Sequence, residues 1–240
     1  MLADADRREH HGDDGQDRRP ALVCVHGLSG SARWWSDVLP WFEHAGPVVV
    51  LDVPRSLHPE QLTDWLIARL ETLEPPVDLA GHSLGALVAV GVACRRPDLV
   101  HRLVLVAPPG ITARPVVSYL WPLVRTVTAS RPRFVATLVT DALRSGPRNI
   151  VRGGLHVSGA NMREELASVV APTLLVWGAR DRIVPPADAA VWRERLPGAR
   201  SVVLAHAGHV PMVDAPEELG AAIESFLEER LDDAGQGGGV

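Results

Sequence analysis

The chain has 240 residues, 46% of them hydrophobic, and a formal net charge of −5. That length allows one α/β domain or two small ones, with a substantial core. The acidic balance gives no support to a nucleic-acid partner, and no apolar run reaches the roughly 18 residues that a membrane-spanning helix needs. Every positive charge is Arg. Cys24 and Cys94 have no partners at metal-ligand spacing and read as free thiols in a reducing compartment. The opening "MLADADRREHHGDDGQDRRP" has no apolar h-region, so a secretory signal is not expected and a cytoplasmic location is.

In chain order, residues 1–19 are polar and without periodicity, and are expected to be a disordered tail. "ALVCVHG" (21–27) reads as a strand, and 34–45 as a helix. "GPVVVLDVP" (46–54) is a second strand, and 58–73 a helix carrying Leu62, Trp65, Leu66 and Leu70 at helical spacing. "VDLAGH" (77–82) is a third strand, followed by an Ala/Val-rich helix over 84–95. "HRLVLVAPPG" (101–110) is a fourth strand. Residues 111–165 form a long insertion with helical patterning, interrupted by Pro115, Pro122, Pro132 and Pro147, and read as a helical cap. Strands over 172–181 and 200–209 follow, with helices over 187–196 and 216–231. The tail 232–240 is expected to be disordered.

The strand signals are Val/Leu-rich without strict alternation, as expected of parallel strands covered on both faces. Alternating βαβα order then implies a doubly wound, mostly parallel α/β sheet of six strands. Its core comprises 20–110 and 166–231, with 111–165 as the cap. Ligands of such sheets bind outside the carboxyl ends of the strands. Four groups of reactive residues fall just there: His26–Leu28, Ser83, Asp181 and His209.

Ser83 sits in "GHSLG", between a strand and a helix. A turn this sharp thrusts the serine side chain outward and crowds the flanking positions, so Gly81 and Gly85 carry no Cβ. A serine hydroxyl needs a base, and His209 stands on the same edge; His206 is its competitor. The imidazole needs an acid to set its tautomer. Asp181 in "WGARDRIVPP" fits, with Asp52 and Asp214 as rivals that also read as loop and helix caps. An oxyanion needs two backbone donors: Leu84 N–H at the helix start and Leu28 N–H in "HGLSGS". His26 and His82 read as braces beside these turns.

Taken together and in this order, "HGLSGSARWW", "GHSLG", "WGARDRIVP" and "GHVPMVDAPEEL" resemble the α/β-hydrolase superfamily over residues 20–231. The resemblance implies the triad order Ser83, Asp181, His209 and a mobile cap over the pocket. It departs from the family in two places. The usual N-terminal antiparallel hairpin is missing, since residues 1–19 are too polar. "LDVPRSLHPEQL" also lacks the Gly-rich loop that commonly follows the second strand.

Between Ile111 and Arg163 eight Arg face one acid, Asp141. This reads either as attraction for an anionic substrate or acidic carrier protein, or as a solvated helix face. Trp34, Trp121 and His156 are candidates for the substrate pocket. The expected function is a serine hydrolase that cleaves a carboxylic ester of a small-molecule acyl substrate through an acyl-enzyme. No metal or organic cofactor is implied. A thioesterase acting on acyl-CoA or acyl-carrier substrates, a C–C bond hydrolase or lyase, and a catalytically silent ligand-binding protein are the alternatives.

Overall fold

The computed structural model of the protein describes residues 19–42, 45–112, 114–119, 121–122, 125–126, 131–196 and 198–229. Of the tails expected over 1–19 and 232–240, residues 1–18 and 232–240 lie outside the described residues. Six strands, β1 (Leu22–Val25), β2 (Val48–Leu51), β3 (Val77–His82), β4 (Val100–Val106), β5 (Thr173–Gly178) and β6 (Arg200–Leu204), form one sheet. Its order is β2-β1-β3-β4-β5-β6, and every pairing is parallel.

Successive side chains along a strand point to opposite faces, and the core divides accordingly. Val23, Val25, Leu79, Leu103, Leu105, Leu175 and Trp177 face one apolar cluster. Leu22, Cys24, Ala80, Val104, Val106, Leu174 and Val176 face the other. The first cluster is completed by α1 (Leu62–Leu70), α2 (Leu84–Arg95) and, after β5, α4 (Asp188–Arg195). The second is completed by α5 (Pro211–Asp214) and α6 (Pro216–Glu228), together with Trp34, Trp35 and Phe42. Both faces being covered explains why the strands read as unbroken apolar runs.

The helix expected over 34–45 takes another form. Residues 43–44 lie outside the described residues, and the rest forms two 3₁₀ turns, Ala32–Trp35 and Leu39–Trp41. Pro40 lacks the N–H that a continuing helix would use. Trp34, Trp35, Val38 and Phe42 are nevertheless buried, so the periodicity reported burial rather than winding.

Between β4 and β5, α3 (Pro132–Gly159) is broken at Gly146, which has φ 73° and ψ 155°. Pro147 cannot donate into the preceding turn and crowds it, so two helices meet at a kink. The chain moves outward from β1 to β2 and then returns to β3 on the other side of β1. The switch point therefore lies between the carboxyl ends of β1 and β3, where open α/β sheets hold their ligands.

Candidate active site

β3 delivers Ser83 to the switch point. Its backbone has φ 53° and ψ −117°, a conformation that costs a non-glycine residue about 1–3 kcal/mol. Surrounding contacts hold it there. Ser83 N–H donates to Val106 O at 2.9 Å, and the Ser83 carbonyl accepts from Ala86 and Leu87 of α2. A Cβ on Gly81 would lie 2.5 Å from Gly85 O, and one on Gly85 would lie 2.6 Å from Val25 O. Both glycines are therefore required by the packing of strand against helix.

The side chain faces His209, with Ser83 Oγ 3.2 Å from His209 Nε2. His209 Nδ1 lies 2.8 Å from Asp181 Oδ2. The other carboxylate oxygen, Oδ1, accepts from Ile183 N–H at 2.8 Å and Val184 N–H at 2.9 Å. Those two donors fix the carboxylate so that Oδ2 is left for the ring. The ring then carries its proton on Nδ1 and turns the Nε2 lone pair toward the serine hydroxyl, which donates to it. All three side chains are buried, at 8%, 8% and 5% exposure for Ser83, His209 and Asp181.

The rival residues have other partners. His206 is exposed and accepts from Arg180 at 3.2 Å. Asp52 accepts from Ala32 N–H at 2.7 Å and so ties down the loop after β1. Asp214 accepts from Gly208 N–H at 2.8 Å, next to His209, and burial raises its carboxyl above the ordinary range.

Two further histidines brace the site. His82 Nε2 lies 2.8 Å from the His209 carbonyl, so Nε2 carries the proton and donates. His82 Nδ1 is buried and meets no partner among the described residues. Burial, with His209 as the second cause, holds the His82 imidazole well below its ordinary pKa and keeps it neutral. His26 accepts from Val53 N–H at 2.9 Å through Nε2. Its Nδ1 must then be the donor to Gly27 O at 2.8 Å. Burial lowers its pKa as well.

His26 shapes the turn that carries Leu28. A Cβ added to Gly27 would lie 3.1 Å from Ser83 Cβ, so this turn lies directly against the serine. Leu84 is the first residue of α2, whose N-terminal end carries free N–H groups and partial positive charge.

One important residue carried only a weak sequence signal. Asp141 of α3 is fully buried. Its carboxylate accepts from Ser31 Oγ at 2.7 Å, Arg33 at 2.8 Å and Trp34 Nε1 at 3.1 Å. All three donors belong to the segment just after the Gly27–Leu28 turn. The signal was its being a lone acid among eight Arg. α3 also touches the turn directly, since Gly153 packs so closely on Leu28 that a Cβ there would overlap its side chain.

A cavity of 60 Å³ lies between the Gly27–Leu28 turn, Leu84 and α3. None of the three residues expected in a pocket lines it. Trp34 is turned to Asp141 and stacks edge-on against Phe134 at 5.5 Å between ring centres. Trp121 is 67% exposed. His156 lies 3.6 Å from the exposed Glu60. Aromatic character and position in the insertion could not distinguish pocket walls from packing or surface. Cys24 is buried and Cys94 is partly exposed, and both are free thiols. Among the described residues no cluster of three or more His, Cys, Asp or Glu is placed to hold a metal, and no helix is long and apolar enough to cross a membrane.

A nucleophile elbow, a base and an acid at the edge of a doubly wound parallel sheet define a serine-type hydrolase architecture. A model of the alpha/beta hydrolase family matches residues 22–222, and the chain belongs to that family. A pimeloyl-(acyl-carrier protein) methyl ester esterase from Neisseria meningitidis is 27% identical over 95% of this chain and 83% of its own length. Another of that name, from Aromatoleum aromaticum, is 28% identical over 87% of this chain and 98% of its own. Among solved structures, an enol-lactonase from Burkholderia xenovorans LB400 superposes with a TM-score of 0.78 at 20% identity, covering 90% of this chain and 94% of that one.

Proposed function

We propose that Ser83, His209 and Asp181 hydrolyse a carboxylic ester through an acyl-enzyme. The observation that carries the assignment is the unbroken chain from Asp181 Oδ2 through His209 to Ser83 Oγ, at 2.8 and 3.2 Å. Ser83 Oγ attacks the ester carbonyl carbon as its proton passes to His209 Nε2. Asp181 stabilises the imidazolium that forms. The tetrahedral oxyanion lies at the Leu28 and Leu84 N–H groups, in a buried setting where such donors act strongly. Collapse expels the alcohol, which takes the proton from His209. His209 then deprotonates a water that attacks the acyl carbon. The second collapse releases the carboxylic acid and returns the proton to Ser83.

A fluorophosphonate probe tests the assignment. Intact protein is expected to be labelled at Ser83, and Ser83→Ala to abolish both labelling and ester turnover. Labelling that survives this substitution removes Ser83 as the nucleophile. The same experiment separates an enzyme from a silent ligand-binding protein.

A second reading concerns the partner. The relatives' names place their ester on an acyl-carrier protein. Here α3 exposes Leu143 (78%) and Leu155 (58%) on a helix that also carries Arg144 and Arg148. An acidic carrier docking on that face would support the same chemistry on a carrier-borne acyl chain. Turnover of a carrier-borne ester should then fall steeply as salt rises from about 0.05 to 0.5 M, while that of a small neutral ester should not. Equal salt dependence of the two would remove the carrier.

A further inference from the structure

We propose that the cavity beside the Gly27–Leu28 turn binds a carboxylate carried by the substrate. Arg152 is its principal partner, so the preferred ester is the half-ester of a dicarboxylic acid. The inference rests on the ester-hydrolase reading above, and it assigns Arg152 to the cavity rather than to a carrier.

The cavity has an apolar end and a cationic end. Leu28 and Leu84, whose backbone N–H groups face the oxyanion in the proposed mechanism, form part of the apolar wall, with Leu57 and Leu62. Arg55, Asn149 and Arg152 supply the polar wall. No acid lines it. Its 60 Å³ gives room for about four water-sized groups, enough for a carboxylate and the methylene beside it.

Arg152 is only partly satisfied by the protein. One terminal nitrogen lies 3.2 Å from His58 Nε2, and the other donates to Asn149 Oδ1 at 2.9 Å. Neither partner is a carboxylate. Its Nε is buried and meets no acceptor among the described residues. A guanidinium with a dry, unpaired N–H is costly unless an anion completes it, and its planar fork matches a carboxylate. The acid whose titration feels Arg152, Glu60, is largely exposed and lies beside His156 instead. Arg55 adds a second positive charge. It reaches Ser145 Oγ and Gly30 O only at 3.3 Å, and it lies 3.9 Å from Asp141. Asp141 is already engaged by Arg33 at 2.8 Å. The surroundings of the cavity therefore retain positive charge for a ligand.

A carrier-borne acyl chain has no free carboxylate at its far end, so the two substrate classes give opposite expectations. Monomethyl adipate and methyl hexanoate share an acyl length and differ in a terminal carboxylate. For the full-length protein, kcat/KM is expected to favour monomethyl adipate on the order of tenfold, the scale of a charge-assisted hydrogen bond. Arg152→Met should erase most of that ratio, and Arg152→Lys should keep part of it. No preference in the wild type, or a ratio that Arg152→Met leaves alone, overturns the proposal. Calorimetric titration of Ser83→Ala with the same two esters needs no turnover and no folded Arg152 variant. Tighter binding of monomethyl adipate by a similar factor is expected, and equal binding overturns the site. Because that result does not depend on hydrolysis, failure of the site and failure of the serine assignment remain distinguishable.

Discussion

At the scale of single residues, Ser83, His209 and Asp181 stood out as candidates because each chemistry demands one residue type at one kind of place. A serine between crowded glycines, a histidine and an aspartate after later strands leave few candidates. Asp52, Asp214 and His206 lay at the same sheet edge and were separated only by their partners in space. Asp181→Asn should retain the fold, since Ile183 and Val184 can still donate to a side-chain oxygen. It should lower kcat on the order of 10³–10⁴, because the amide no longer enforces the productive tautomer. Steady-state kinetics beside a thermal melt would show it; an Asn variant with wild-type kcat would exclude Asp181. His82 acts one step back, through the carbonyl of His209. His82→Gln places an amide N–H near the same carbonyl and should keep far more activity than His82→Phe, which removes the donor from a buried carbonyl. Equal losses in the two variants would show that the hydrogen bond is irrelevant.

At the scale of elements, the sheet and its flanking helices followed from periodicity and punctuation, but α3 did not. Its kink at Gly146–Pro147 was visible as a helix breaker. Its docking was not, because the decisive contact pairs Asp141 with side chains about a hundred residues earlier in the chain. Asp141→Ala would leave the Ser31 and Trp34 donors buried without an acceptor. The expected loss is about 1–3 kcal/mol of stability, measured by urea unfolding, with Asp141→Asn retaining part of it. Gly81→Ala tests the elbow as an element. The new Cβ would meet backbone rather than a side-chain tip, so the strand and helix must separate, at a cost of about 1–3 kcal/mol or more. An unchanged urea midpoint for Gly81→Ala would mean that the turn is not as tight as described.

At the scale of the whole molecule, the buried histidines set the response to acid. Burial holds His82 and His26 below the ordinary value of 6.5. Below about pH 6.5 the unfolded chain therefore binds protons that the folded chain refuses, and stability falls as pH drops. Above that pH their contribution is complete. Asp78 and Asp214 are raised from 3.8 by burial and act with the opposite sign, in a window that opens at 3.8. Urea unfolding between about pH 7.5 and 5 should show the decline, and His82→Gln should flatten it. A profile that stays level in the wild type would contradict the buried, neutral His82.

The amino-acid sequence by itself determined the parallel six-stranded sheet, the edge where the reactive side chains gather and the short set of candidates found there. Those features depend on local rules: two-sided burial of strands, the demand for glycine in a crowded turn, and the position of reactive side chains after strand ends. Tertiary structure alone decided which acid meets the imidazole and how Asp141 fastens α3 to the segment after β1. It also decided that the cavity is walled by Arg55, Asn149 and Arg152 rather than by tryptophan. Each of these is a meeting of side chains far apart in sequence, and a linear pattern carries no term for the distance between them.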